Sequence, residues 1–303
     1  FVVNLLSDFK NEIVCISCQF LRGVGAVRAR KVLNQLSLGN NSIIDYVDAV
    51  NQSLPIKSHI NQETAYNVLR ESQELFLKCN EENITVLPIT DDGYPIKLTR
   101  IPDPPPVLWV KGDMGSLDSI SSIAVVGTRN PTDKGGICCE RITRVLTEKG
   151  SVIVSGLAVG CDAIAHRSCL REGGKTVAVL PSGVDIVTPE KHQNLAKSIM
   201  RNGGVLLSEY APGTKARRSS FIQRNRVQSS LSDAVVIIQA GAKSGTMETA
   251  KFCIAQKRSL YCVDAAILEK GSESEGNRIL IGQGATPLID KESVLSVLTV
   301  SSF

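Results

Sequence analysis

From Ser121 onward the chain repeats one unit: a short apolar run rich in β-branched residues, a turn, and a helical pattern. The runs are Ile123–Val126, Val152–Val154, Thr176–Leu180, Val205–Leu207, Ala234–Ile238 and Ser259–Val263. Helical patterns separate them, among them Gly135–Lys149, Ala163–Glu172 and Thr246–Gln256. A strand with one wet face alternates apolar and polar residues. These runs do not alternate, so both faces of their sheet must be covered. Strands joined through helices run parallel. The fold class that follows is α/β, with an extended Rossmann-like parallel sheet. A hydrophobic content of 43% with only 4% aromatics suits the aliphatic core of such a sheet.

In an open parallel sheet, ligands bind beyond the carboxyl ends of the strands. The first such end reads "VVGTRNPTDKGG". It has neither the G-x-G-x-x-G of a dinucleotide fold nor the G-x-x-x-x-G-K-[ST] of a P-loop. The ends carry Gly127-Thr128-Arg129, Ser155-Gly156, Ser182-Gly183 and, after Ala234–Ile238, a loop with Lys243-Ser244-Gly245. Each combines glycine with a hydroxyl or a cation. Glycine lets backbone N–H groups approach an anion, and a following helix N-terminus adds a favourable dipole. Four such ends in register predict an anion-binding rim.

Charge placement sharpens this, since a net charge of +4 alone implies no polyanion. Ala211–Leu231 contains no acid but holds Lys215, Arg217, Arg218, Arg224 and Arg226. Arg224-Asn225-Arg226 opens an apolar-periodic stretch, so both guanidinium groups should be held in place and face phosphate.

The chain before residue 84 reads as helical, with Leu21, Val24, Val27, Val32, Leu33 and Leu36 at helical spacing. Ala65, Val68, Leu69, Leu75 and Leu77 form a second apolar face within Glu63–Cys79. "LRGVGAVRARKVLNQL" places Leu-x-Gly-x-Gly between two helical patterns, the hairpin of a helix–hairpin–helix element, ringed by Arg22, Arg28, Arg30 and Lys31. Such hairpins hold DNA phosphates or serve only as packing units. The proline-rich segment from Ile84 reads as short strands and turns leading into the sheet. The expected domains are a helical helix–hairpin–helix domain over 1–83 and a Rossmann-like core over 84–303.

Other chemistries find little support. Cys15-Ile-Ser-Cys18 has no second pair to complete a zinc site, so no metal or other cofactor is expected. Asp162 and His166 are four apart, but no third ligand or G-x-S-x-G elbow accompanies them. Asp162 should lie in the first turn of a helix, with His166 buttressing loops. No apolar run reaches the ~20 residues of a membrane span, and no signal peptide is visible. Nine irregularly spaced cysteines suit a reducing compartment, so a cytoplasmic location is expected.

Six stretches, in order, resemble the DNA-processing protein A (DprA, or Smf) family: "VVGTRNPTDKGG", "IVSGLAVGCDAIAHRSCL", "AVLPSGVDIVTPEKHQNL", "GVLLSEYAPGT", "FIQRNRVQSSLSDAVVIIQAGAKSGTMETAKFCI" and "EGNRILIGQGATPLI". The resemblance implies a dimeric single-stranded DNA-binding protein that protects incoming strands in transformation and loads the RecA recombinase onto them. Gly127, Thr128 and Arg129 stand for the family's Gly-Ser-Arg, Ser155 and Gly156 for its Ser-Gly-Leu-Ala, and Arg224, Asn225 and Arg226 for its Arg-Asn-Arg. Lys243, Ser244 and Gly245 lie in its Ser-Gly loop. Thr188-Pro189, Phe221-Ile222 and Asp264-Ala265 depart from the family's Tyr-Pro, Phe-Pro and Pro-Gly, and no winged-helix pattern follows. These departures bear on the transformation role, and genome maintenance or anti-phage defence stay open beside it.

Two alternatives stand. One is a LOG-like nucleoside-monophosphate phosphoribohydrolase, and the other a sensor of nucleotide signals. The hydrolase motif ends in a glutamate that would align with Thr249; Glu248 lies one residue earlier, rotated about 100° on a helix. A non-catalytic protein is therefore expected.

Overall fold

The computed structural model describes residues 10–36, 42–117, 121–268 and 271–299. The chain divides into two compact units, Phe1–Trp109 and Val110–Phe303.

The first unit holds α1 (Asn11–Phe20), α2 (Ala26–Leu36), α3 (Ile43–Ser53), α4 (Gln62–Glu81), β1 (Thr85–Pro88) and α5 (Ile96–Thr99). It ends within β2 (Val107–Gly112). α1 packs on α4, and α2 on α3. α3 begins with a capping box in which Ser42 and Asp45 satisfy each other's backbone N–H groups. The Tyr46 hydroxyl reaches Ser17 Oγ at 2.7 Å and ties α3 to α1. Leu21, Val24, Val32, Leu33 and Leu36 are buried as the spacing predicts. Val27 and Leu77 are exposed instead, and Ser72 and Cys79 belong to the buried face of α4. The pattern of the sequence changes at Ile84, yet the unit runs on to Trp109, because β1 packs on α1 and α4. Residues 1–9 and 37–41 of the helical reading lie outside the described residues.

The second unit continues with β3 (Ser122–Val126), α6 (Asp133–Glu148), β4 (Val152–Ser155), α7 (Cys161–Arg171), β5 (Thr176–Val179) and α8 (Gln193–Arg201). Then follow β6 (Val205–Ser208), α9 (Arg218–Ser230), β7 (Ala234–Ile237), α10 (Gly245–Ala255), β8 (Ser259–Val263), α11 (Glu275–Gly282), β9 (Thr286–Leu288) and α12 (Lys291–Ser296). All six expected strands form. With β9 as a seventh, the order is β6-β5-β4-β3-β7-β8-β9, parallel throughout. β3 is central, with Ala124 opposite both Val154 and Val235. From β3 the chain lays β4, β5 and β6 to one side, then returns to lay β7, β8 and β9 on the other. The gap between the turns after β3 and β7 is therefore the switch point of the sheet, where side chains from both halves can converge. Ile123, Val125, Ile153, Val236 and Ile238 form the aliphatic core there with α6 and α7.

α9 departs from the expectation. It starts at Arg218 rather than at Arg224, and its buried residues include Arg224, Asn225, Arg226, Gln228, Ser229 and Ser230. Apolar periodicity does not bury this helix; polar groups do.

Candidate nucleic-acid interface

A pocket of about 310 Å³ opens at the switch point. Three loops and one helix build it: Gly127–Arg129 after β3, Ala158 and Asp162 at the start of α7, Ser244, Gly245, Thr246 and Thr249 at the start of α10, and one face of α9.

The loops are set by buried amides. Gln239, fully buried at the end of β7, accepts the Thr128 N–H on its carbonyl at 2.7 Å. Its side-chain oxygen accepts the Thr132 N–H at 2.9 Å. The first loop is thus hung from β7. Cys161 N–H donates to Thr128 O at 3.1 Å, joining α7 to the same loop. Gly160, at φ +80°, permits this, since a Cβ there would strike the Thr128 and Arg129 carbonyls. Asn277, on α11, donates to Ile238 O and Val263 O at 2.9 Å each and accepts from Ala240 N at 2.8 Å. It stitches the ends of β7 and β8.

Arg224 is the centre of the floor. It is 5% exposed, and its Nη1 donates to Val179 O at 2.5 Å. Its guanidinium occupies the space a side chain on Gly156 would need. Burial pushes the guanidinium pKa down, nearby Asp162 holds it up, and Arg129 adds to the downward push. Asp162 is pushed up by burial and pulled back by Arg224 and by the Ala158 and Gly156 N–H groups. One carboxylate thus faces two guanidinium groups, which leaves the pocket net positive. Arg129 is exposed, with its guanidinium 5.2 Å from the centre of the Phe221 ring, a cation–π contact at the mouth.

Three of the lining residues carry unpaired donors. Arg224 Nε, Gln228 Nε2 and Ser244 Oγ are buried and have no hydrogen-bond partner among the described residues. Gln228 is only 1% exposed. Ser244 is the N-cap of α10, but its side chain makes no cap bond. The Met247 N–H turns back to Ser244 O at 3.1 Å, and the Ser244 hydroxyl meets none of the first-turn N–H groups of α10. A pocket lined with unmet donors suits an acceptor-rich anion.

The expected rim residues divide. Gly127, Thr128, Arg129, Arg224, Asn225, Ser244 and Gly245 line the pocket. Ser155 does not: its hydroxyl is spent on Val125 O at 2.8 Å, and the Gly156 N–H on Asp162 Oδ2 at 3.1 Å. Ser182 and Gly183 sit after β5, away from the lining; Ser182 Oγ donates to Ile186 O at 2.7 Å and Gly183 N to Thr214 O at 2.9 Å. Arg218 and Lys243 are exposed and outside the lining. Arg226 departs furthest. Two positions beyond Arg224, it points to the far side of α9, where it forms a buried ion pair with Glu209. Gln228, Gln239 and Asn277 were not singled out by sequence, and Phe221 was marked only by the isoleucine after it. A polar residue closing an apolar strand run, as in Ile238-Gln239, is the signal that marks one of them.

The remaining chemistry is structural. Asp162 lies in the first turn of α7, and His166 Nε2 accepts the Leu157 N–H at 3.3 Å, so it buttresses the loop as expected. Cys15 and Cys18 are buried and free, and no cluster of metal-binding side chains exists among the described residues. Thr249 lines the pocket, whereas Glu248 turns out to pair with Lys251 at 2.7 Å. No described helix is long and apolar enough to cross a membrane.

Comparison with known proteins agrees with this fold. The family model of DNA recombination-mediator protein A matches residues 85–299. A Synechocystis protein named Smf is 33% identical over 301 residues, covering 92% of this chain and 74% of its own. The DNA processing protein DprA of Bacillus subtilis is 36% identical, over 72% of each chain. The X-ray structure of DNA processing protein A from Streptococcus pneumoniae superposes with a TM-score of 0.78 at 27% identity, covering 95% of this chain and 98% of that one. A structure of DNA processing protein A from Helicobacter pylori, described for its single-stranded DNA binding mode, superposes at 0.65 with 30% identity, covering 72% and 97%. With the family model spanning the whole sheet, and a relative aligned over three quarters of its own length, this chain belongs to the DNA recombination-mediator protein A family.

Proposed function

We propose that the switch-point pocket binds the backbone of single-stranded DNA, and that the protein acts on incoming or recombining strands without cutting them. One observation carries the reading. Arg224, Gln228 and Ser244, whose buried donors lack a partner among the described residues, line one pocket with an exposed Arg129 at its mouth. Chains of phosphates supply the acceptors and charge such a pocket lacks. The binding mode described for the Helicobacter pylori relative supports the choice of ligand. Gly127, Thr128, Asn225 and Gly245 would contact the strand beside these donors. Arg218 and Lys243, exposed outside the lining, would extend the contact along it. The reading extends to a cytoplasmic homodimer that hands its strand to the RecA recombinase, in keeping with the mediator role in the family's description.

The phosphoribohydrolase alternative needs a carboxylate where Thr249 lies, and Glu248 is engaged by Lys251. Fluorescence anisotropy with a single-stranded oligonucleotide, a duplex and mononucleotides tests the reading. Arg129→Ala should weaken single-strand binding at least tenfold while the urea midpoint stays put. Unchanged affinity, or release of free base from a nucleoside monophosphate, would overturn it.

A further inference from the structure

We propose that the hairpin of the helical unit is a second nucleic-acid surface, which takes the backbone of duplex DNA independently of the pocket. The hairpin runs from Leu21 to Gly25, between α1 and α2. Leu21 and Val24 are buried beneath it, while Arg22, Gly23 and Gly25 are exposed. Gly23 has φ +86°, and Arg28 Nη1 donates to its carbonyl at 2.6 Å, which fixes the turn on the start of α2. α2 buries Ala29, Val32, Leu33 and Leu36 on one face. Arg28, Arg30 and Lys31 are therefore turned outward next to the hairpin. The Leu54 side chain lies 3.5 Å from where a Cβ on Gly23 would sit. That contact brings the turn after α3, with exposed Lys57, beside the same surface.

No acid occurs between Ile13 and Ile44. The nearest carboxylates by position are Glu12 at the start of α1, and Asp45 and Asp48 on α3. At 1.5 Å per residue, Glu12 and Asp45 lie about 13 Å along their helices from the hairpin end, and Asp48 about 9 Å. These separations from the hairpin end are at or beyond the screening length in physiological salt, which weakens the carboxylates' effect on a phosphate held at the turn.

Shape selects the duplex. A single strand is held by a groove with successive stacking platforms. Among the described residues the aromatic bordering the hairpin in sequence is Phe20, and a lone ring is no such platform. A duplex presents phosphates already ordered, one charge per ~1.7 Å of axis, and needs only a protruding basic turn to meet them. Exposed glycines let backbone N–H groups reach such a phosphate, and the first-turn N–H groups of α2 have no partner within the helix.

The test uses the full chain, a 20-base-pair duplex and a single strand of about the same length, read by anisotropy at several salt concentrations. Arg22→Glu/Lys31→Glu leaves the Arg28 bond to Gly23 in place. It should weaken duplex binding at least tenfold, flatten the log–log salt slope by about two units, and leave single-strand affinity within twofold. Arg22→Gln/Lys31→Gln should move in the same direction by less. Arg129→Ala should show the opposite selectivity, so failure of the pocket reading and failure of this one are separable. Wild-type protein that ignores the duplex, a double variant that binds it normally, or capture by anionic lipid vesicles without duplex binding would each overturn the proposal.

Discussion

Arg224 and Arg226 share a helix and a residue type, and their surroundings give them opposite tasks. Arg224 lies under the pocket with an unmet Nε, whereas Arg226 is spent on Glu209 in a buried pair. Removing one member of such a pair leaves a charge without compensation, at a cost of about 3 kcal/mol or more. Arg226→Ala should therefore lower the unfolding free energy by that amount, read as a fall in the urea midpoint. Single-strand affinity should be near normal wherever the variant is folded. A stable variant that fails to bind would return Arg226 to the interface. His166 carries a different liability. Burial, then Arg224, His192 and Arg167, push its pKa down to about 3, so it is neutral in the fold. The unfolded chain protonates near 6.5, so this group's stabilisation is complete above that pH and is lost as pH falls toward 3. Between pH 6.5 and 5 the loss is about 2 kcal/mol. The difference in unfolding free energy between wild type and His166→Gln should shrink by that much from pH 7 to pH 5. An unchanged difference would mean that His166 titrates normally.

The α10 N-terminus forgoes a side-chain cap, at some expense to the helix. Ser244 occupies the N-cap position without capping. Ser244→Asp would supply the missing acceptor and a favourable charge at the dipole, worth about 1 kcal/mol to the fold. The same carboxylate would oppose a phosphate in the pocket. At roughly 8 Å and an effective dielectric near 20 that costs about 2 kcal/mol, or about thirtyfold in affinity. A raised melting temperature with weakened single-strand binding is the expected pair of results; equal binding would move the phosphate away from α10. The strands around this loop were legible because Val, Ile and Ala runs can only be buried strands at that length. α9 was half legible. Its cations stood out, but its buried face is Arg, Asn, Gln and Ser, so hydrophobic periodicity placed its start six residues late. Gln239 and Asn277 escaped for another reason. They act on backbone groups of Thr128, Thr132, Ala240 and Val263, neighbours that exist only once the sheet has formed.

At the scale of the whole molecule, a net charge of +4 spread over 303 residues cannot hold a polyanion by its long-range field. Attraction must come from cations concentrated where the chain reverses across β3. There Arg129 and Arg224 line the pocket and Lys243 adjoins Ser244. Three neutralised phosphates on a single strand correspond to a log–log salt slope of about −2. Raising salt from roughly 50 to 200 mM should then weaken single-strand binding about twentyfold. Arg129→Ala should lower the slope by about 0.7, because one released counterion is lost with one contact. Adding acidic residues far from the switch point should alter the net charge with little effect on that slope. A slope that follows net charge instead, or one near zero, would show that the strand is held by something other than this pocket.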